Sequence, residues 1–118
     1  MNLETRETGR LIASDKVEGT AVYNHEGERL GTTERFMVDK VSGQVEYAVM
    51  SFGGLFGMGH KHYPLPWQAL TYDTDKGGYV VNVTKEQLES APSYDDQEPA
   101  YDDAYGSQVD SYYGLTRG

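Results

Sequence analysis

The chain has 118 residues and a mass of 13.2 kDa, which leaves room for one domain built on one small core. It contains no cysteine, so disulfides, thiolate catalysis and Cys-based zinc or iron–sulfur sites are excluded. The net charge of −9 is uneven: residues 1–91 carry 13 acids against 9 bases and residues 92–118 carry 6 against 1, a balance that repels nucleic acid and anionic membrane surfaces.

Residues 1–12 alternate charges and threonines without a sustained period and read as a mobile arm. Glu4, Arg6, Glu7 and Arg10 stand where a secretory signal needs an apolar run, and no window approaches the roughly 20 apolar residues of a membrane span. A soluble cytoplasmic protein is expected. Ser14-Asp15 offers a cap for one turn of helix leading to a first strand over 20–24. A turn at 25–28, with Gly27 supplying positive φ, leads to a second strand over 29–39. Leu30 and Thr32 share a face with Phe36 and Val38, but Glu34 interrupts them, which points to a bulge or a face switch near Glu34-Arg35.

After a turn at 40–43, the third strand sets Val45, Tyr47 and Val49 on one face and Ala48, Met50 and Phe52 on the other. Both faces are largely apolar, so a further segment or a second subunit is expected to cover the second one. Residues 53–59 form a loop with four glycines. A fourth strand over 61–65 contains Pro64 and is followed by Pro66, which restrict it to a sheet edge or place them at its end because proline donates no ladder hydrogen bond. Trp67, the only tryptophan, is expected to plug one end of the core. A last hairpin joins 70–73 to 78–83. Thr84 and Gln87 then fit a capping box for a short helix over 85–91, stopped by Pro92.

The expected fold is all-β: a small six-stranded barrel over 13–91 with a short C-terminal helix, an open sandwich being the alternative. Residues 92–118 hold five tyrosines and five aspartates, with Val109 and Leu115 the only aliphatics larger than Ala. This acidic tail is expected to be disordered, or else to order on a partner or neighbouring subunit.

Several motifs together carry a family resemblance: Ala13-Ser14-Asp15, Gly19, Gly27-Glu28-x-Leu30-Gly31, Gly43-x-Val45, Tyr47-Ala48-Val49, Phe52-Gly53-Gly54, Pro66-Trp67-x-x-Leu70 and Tyr79-Val80. In this order they resemble the PRC-barrel family over about residues 11–90. The resemblance implies the barrel found in the cytoplasmic domain of the photosynthetic reaction centre H subunit and in the C-terminal domain of a ribosome maturation factor. Neither role carries over by fold alone. No counterpart of the H subunit's transmembrane helix or of the maturation factor's N-terminal domain is evident, so a free-standing member is expected.

Gly54 to Gly59 has the outer spacing of a phosphate-binding loop, but His60-Lys61 and a proline-bearing strand follow where Lys-Ser/Thr and a helix are needed. Leu55, Phe56 and Met58 in that loop either cap the barrel end or, with Ala48, Met50 and Phe52, form an interaction surface. His60 and His62 point the same way along a strand, a spacing that permits a shared metal but supplies only two ligands. Asp39 is the best placed acid for chemistry, and a turn-capping role explains it equally well. No cofactor and no catalysis are expected. The leading expectation is a non-catalytic interaction or scaffold module that forms homodimers; a ligand- or metal-responsive sensor and a ribosome-associated assembly factor are the alternatives.

Overall fold

The computed structural model describes residues 11–53, 60–95 and 97–115. In chain order these form α1 (Ser14–Val17), β1 (Ala21–Tyr23), β2 (Arg29–Val38), β3 (Val45–Gly53), β4 (His60–Pro66), a 3-10 turn (Trp67–Ala69), β5 (Leu70–Asp73), β6 (Gly78–Val81), α2 (Lys85–Glu89) and α3 (Asp103–Tyr112). The six strands make one sheet in the order β4-β3-β2-β1-β6-β5 that curls into a half-barrel. All neighbours are antiparallel except β1 and β6, which pair in parallel.

Two hairpins use one turn device. Asp39 accepts hydrogen bonds from the backbone N–H of Val41 (2.8 Å) and Ser42 (3.0 Å), and Asp73 accepts from Asp75 (2.9 Å) and Lys76 (3.1 Å). Four residues after each aspartate a glycine takes the left-handed conformation, Gly43 at φ +80° and Gly77 at φ +67°, and donates back to the aspartate carbonyl. The first hairpin substitutes Asn24, whose buried side chain accepts from Glu26 and Glu28 N–H and donates to the Glu28 carboxylate at 2.8 Å.

The core lies inside the curl and comprises Val22, Leu30, Met50, Tyr63, Leu65, Val81 and Val83, closed by Leu88 of α2 and by Ala91. The capping box forms as the sequence predicts: Thr84 Oγ1 accepts from Gln87 N–H at 3.0 Å, and Gln87 Oε1 accepts from Thr84 N–H at 2.9 Å. That pair fixes the first turn of α2 and so aims Leu88 inward.

The six-stranded curled sheet with its short C-terminal helix accords with the expected PRC-type barrel, in the form of a half-barrel. β4 is an edge strand, one of the two placements its prolines permit, and the outward N–H and C=O of His62 bond to Tyr94 rather than to β5. Residues two apart present the same side of the backbone, so Pro64 and Pro66 leave that edge without donors for a continuous ladder. Within residues 97–115, α3 forms and lies against β4. Tyr101, Tyr105, Val109 and Tyr113 recur every fourth residue, and that period places all four on one helical side. Burying them supplies the apolar contact that the count of aliphatics alone does not reveal.

Candidate interaction surfaces

Of the two irregularities expected in β2, a bulge or a face switch, the strand has the bulge. Thr33 pairs with Met50 and Arg35 with Val49, leaving Glu34 as the extra residue. Its effect is to send two successive charged residues to the outer face while Thr33 stays buried. Opposite them on that face lie Val49, Ser51, His62 and Pro64, in register across β3 and β4.

Tyr94, Glu98 and Tyr101 lie over this face, and α3 continues along β4 to reach α2 and the core through Tyr112 and Tyr113; together they form a strap. Tyr94 forms a two-bond antiparallel bridge with His62 (2.9 and 3.0 Å) and stacks its ring on the imidazole at 5.0 Å and 22°. The Nδ1 of that imidazole is engaged by the Glu34 carboxylate. Tyr94 donates its hydroxyl to Glu98 at 3.1 Å, Glu98 lies 3.8 Å from the Arg35 guanidinium, and Tyr101 donates to the Tyr94 hydroxyl at 3.5 Å. Partial burial works against the Arg35 charge, but Glu98, Tyr94 and Glu34 together outweigh it and hold the proton more firmly than usual. Tyr101 also packs on Tyr47 at 5.4 Å and on Tyr105 at 5.6 Å. Asp102 caps α3 by accepting from Tyr105 N–H at 2.9 Å, and at the far end Tyr112 donates its hydroxyl to the Gln87 carbonyl of α2.

Burial pushes the Tyr101 and Tyr113 hydroxyls well above the ordinary tyrosine range and Tyr105 up to about 12. The hydroxyls of Tyr105 and Tyr113 are buried without a hydrogen-bond partner, each at a cost on the order of 1–3 kcal/mol. The strap therefore gains its hold from ring packing and loses part of it to unpaired phenols.

The second surface is the end of the half-barrel where β2 and β4 finish. Phe36 and Trp67 meet edge to face at 5.2 Å, Trp67 and Tyr79 at 5.8 Å, Phe36 and Tyr79 at 6.3 Å, and Tyr72 and Tyr79 at 5.1 Å. Tyr79 is buried beneath the others. Trp67 and Tyr72 each remain 38% exposed, and Val38 and Val41 lie at the same end, 51% and 92% exposed. Trp67 thus plugs the core only in part. Tyr72 belongs to β5, which among the described residues pairs with β6 alone and leaves its other edge open.

The residues singled out from the sequence fall into three groups. Ala48 and Met50, expected on an interaction surface, are 1% and 0% exposed and packed within this chain, and Phe52 is half-buried against the core with its ring 6.2 Å from Tyr63. Their face is thus covered intramolecularly, by the curl of the sheet, while the strap covers Tyr47 on the opposite face. Leu55, Phe56 and Met58 lie outside the described residues, as does most of the phosphate-loop-like stretch, and the chain then enters β4, a strand where a phosphate loop requires a helix. The backbone of His60 opens β4, its side chain lies outside the described part, and His62 is bound to Glu34 and Tyr94. No group of three or more metal-ligating side chains occurs among the described residues. Asp39 is exposed and held below the usual carboxylate range, chiefly by the Ser42 and Val41 amides, which is a turn-capping role. Glu34, Arg35, Tyr94, Glu98 and Tyr101 escape sequence reasoning as a group because 59 residues separate the first pair from Tyr94. No helix among the described residues is long and apolar enough to cross a membrane.

Comparison with known proteins agrees with this architecture. The PRC-barrel domain model matches residues 10–88, which end just inside α2 and exclude the strap. An uncharacterized protein of Deinococcus radiodurans is 26% identical over 91 residues, 77% of this chain but only 30% of that protein's length. With the family model covering two thirds of its length, the chain belongs to the PRC-barrel family.

Proposed function

We propose that this chain is a non-catalytic, cytoplasmic protein-docking module that self-associates, with the aromatic end of its half-barrel as the contact surface. The observation that carries the reading is the cluster of Phe36, Trp67, Tyr72 and Tyr79, in which a tryptophan and a tyrosine stay 38% exposed beside an open strand edge. Half-exposed Trp and Tyr on a rigid support contribute large contact area at little entropic cost and dominate interface energetics. An open edge offers main-chain bonds to the same partner. The commitment of His62, Asp39, Asp73 and Asp102 to structural hydrogen bonds supports the non-catalytic part of the reading.

Sedimentation equilibrium of the full chain tests it. The wild type is expected to form dimers, and Trp67→Ala to weaken them by about 10-fold or more, the effect of losing a hot-spot side chain. Equal association by both proteins refutes the assignment of the surface, and a wild type that stays monomeric at every concentration refutes the self-association.

A further inference from the structure

We propose that the outer face of β3 and β4 is a second docking surface, and that its occupant is the strap of another copy of this chain, exchanged reciprocally between two molecules. The face itself is made by Glu34, Arg35, Tyr47, Val49, His62 and Pro64, all within the matched barrel region, whereas the strap lies wholly beyond it. The strap binds as a separate ligand does. It adds one antiparallel bridge at an edge strand, stacks Tyr94 on His62, brings a carboxylate to Arg35 and lays Tyr101 on Tyr47. Each contact is between strap and face, so a strap from a second molecule reproduces every one of them.

Two further observations favour exchange over permanent closure. The covalent tie is short: Ala91 is fixed in the core and Tyr94 is already on the edge of β4, so only Pro92 and Ser93 make the turn between them. A brief proline-containing hinge is the kind of connection that opens into swapped pairs. The seated strap also leaves the Tyr105 and Tyr113 hydroxyls buried and unpaired, which lowers the cost of releasing it from its own face. The surface is distinct from the aromatic end, so the two associations succeed or fail separately.

The absence of native cysteine makes the test direct. In a hydrogen-bonded antiparallel pair the Cα atoms of His62 and Tyr94 stand roughly 5.5 Å apart, within disulfide reach. Isotope-labelled His62→Cys and unlabelled Tyr94→Cys full-length chains are unfolded together, refolded over a range of concentrations, mildly oxidised and analysed by mass spectrometry. A His62→Cys/Tyr94→Cys double variant, which is expected to close within one chain at low concentration, reports that the strap is seated. Exchange predicts labelled–unlabelled disulfides between positions 62 and 94 whose yield rises with concentration. Because these variants remove the Glu34–His62–Tyr94 contacts, a second design puts a photoreactive phenylalanine analogue at Tyr101 and looks for labelled–unlabelled cross-links to the segment containing Tyr47. Links confined to single chains at every concentration in both designs, or no links at all, overturn the proposal. Dimers that vanish in Trp67→Ala and carry no strap link also overturn it, while leaving the role of the aromatic end standing.

Discussion

Val109→Ala probes whether α3 is a packed part of the domain. Val109 is 0% exposed although it belongs to a tail rich in aspartate and tyrosine. Truncation removes two methyl groups, each worth about 0.8 kcal/mol of transfer free energy, and the residual cavity adds to this, so a loss of about 1.5–2.5 kcal/mol is expected. Tyr105 lies one helical turn away and Tyr101 precedes the helix, and the strap's Asp102 cap and the Tyr112 bond to Gln87 are untouched by the change. The loss should therefore appear first as local opening. Hydrogen exchange at the amides of α3 is the assay: about 1.5–2.5 kcal/mol corresponds to exchange faster by roughly 10- to 70-fold, with the amides of β3 less affected. Val41→Ala, at a site 92% exposed, is the control and should change stability by less than about 0.5 kcal/mol. Exchange of the α3 amides at free-peptide rates in the wild type, or no difference between wild type and Val109→Ala, refutes the packing of the strap.

Four other perturbations test the remaining parts. Met50→Ala should cost about 2–5 kcal/mol in urea unfolding, because the side chain is wholly buried in the core, whereas a role on an intermolecular surface predicts a loss of association with little loss of stability. Gly31→Ala places a Cβ 2.5 Å from the Ser51 carbonyl oxygen and 2.9 Å from Met50, so the β2–β3 pair must shift and the melting temperature should fall, by the equivalent of about 1–3 kcal/mol. Thr84→Ala removes one half of the capping box and should destabilise the domain by about 0.5–2 kcal/mol. Raising the pH above about 10 should loosen the strap. Burial favours the neutral Tyr105 hydroxyl and moves its folded pKa from 10.0 to about 12, so its contribution is complete below pH 10 and fades as pH climbs towards 12, with Tyr101 and Tyr113 ionising later still. Ultraviolet titration of tyrosinate alongside far-ultraviolet circular dichroism reads this directly, and three tyrosines titrating normally near 10 would contradict it.

Much of the barrel is legible from local signals. The Asp39 turn cap and the Thr84/Gln87 pair are turn and cap chemistries complete within five residues, so a linear reading finds them, and Asp73 with Gly77 repeats the first of these devices. The Glu34 bulge is visible because a single polar residue breaks an alternation. The two-sided apolar character of β3 is also correctly read, but the sequence does not say which molecule supplies the cover, and here the chain supplies it to itself. The strap carries two opposed signals. Composition argues for disorder, while the four-residue spacing from Tyr101 to Tyr113 and the Asp102 cap argue for a helix, and only the second signal carries positional information. The aromatic end is assembled from β2, the 3-10 turn, β5 and β6, and the latch around Arg35 from β2, β4 and the strap. Neither leaves a local motif, because only the sheet order brings those residues together.

Hydrogen exchange of the full chain, measured at low and at high protein concentration, tests the docking account most directly. Self-association through the aromatic end predicts that the amides of β5, from Leu70 to Asp73, gain protection as concentration rises and that Trp67→Ala abolishes the gain. Exchange at β5 that is independent of concentration, in a protein whose mass stays at 13.2 kDa throughout, contradicts it.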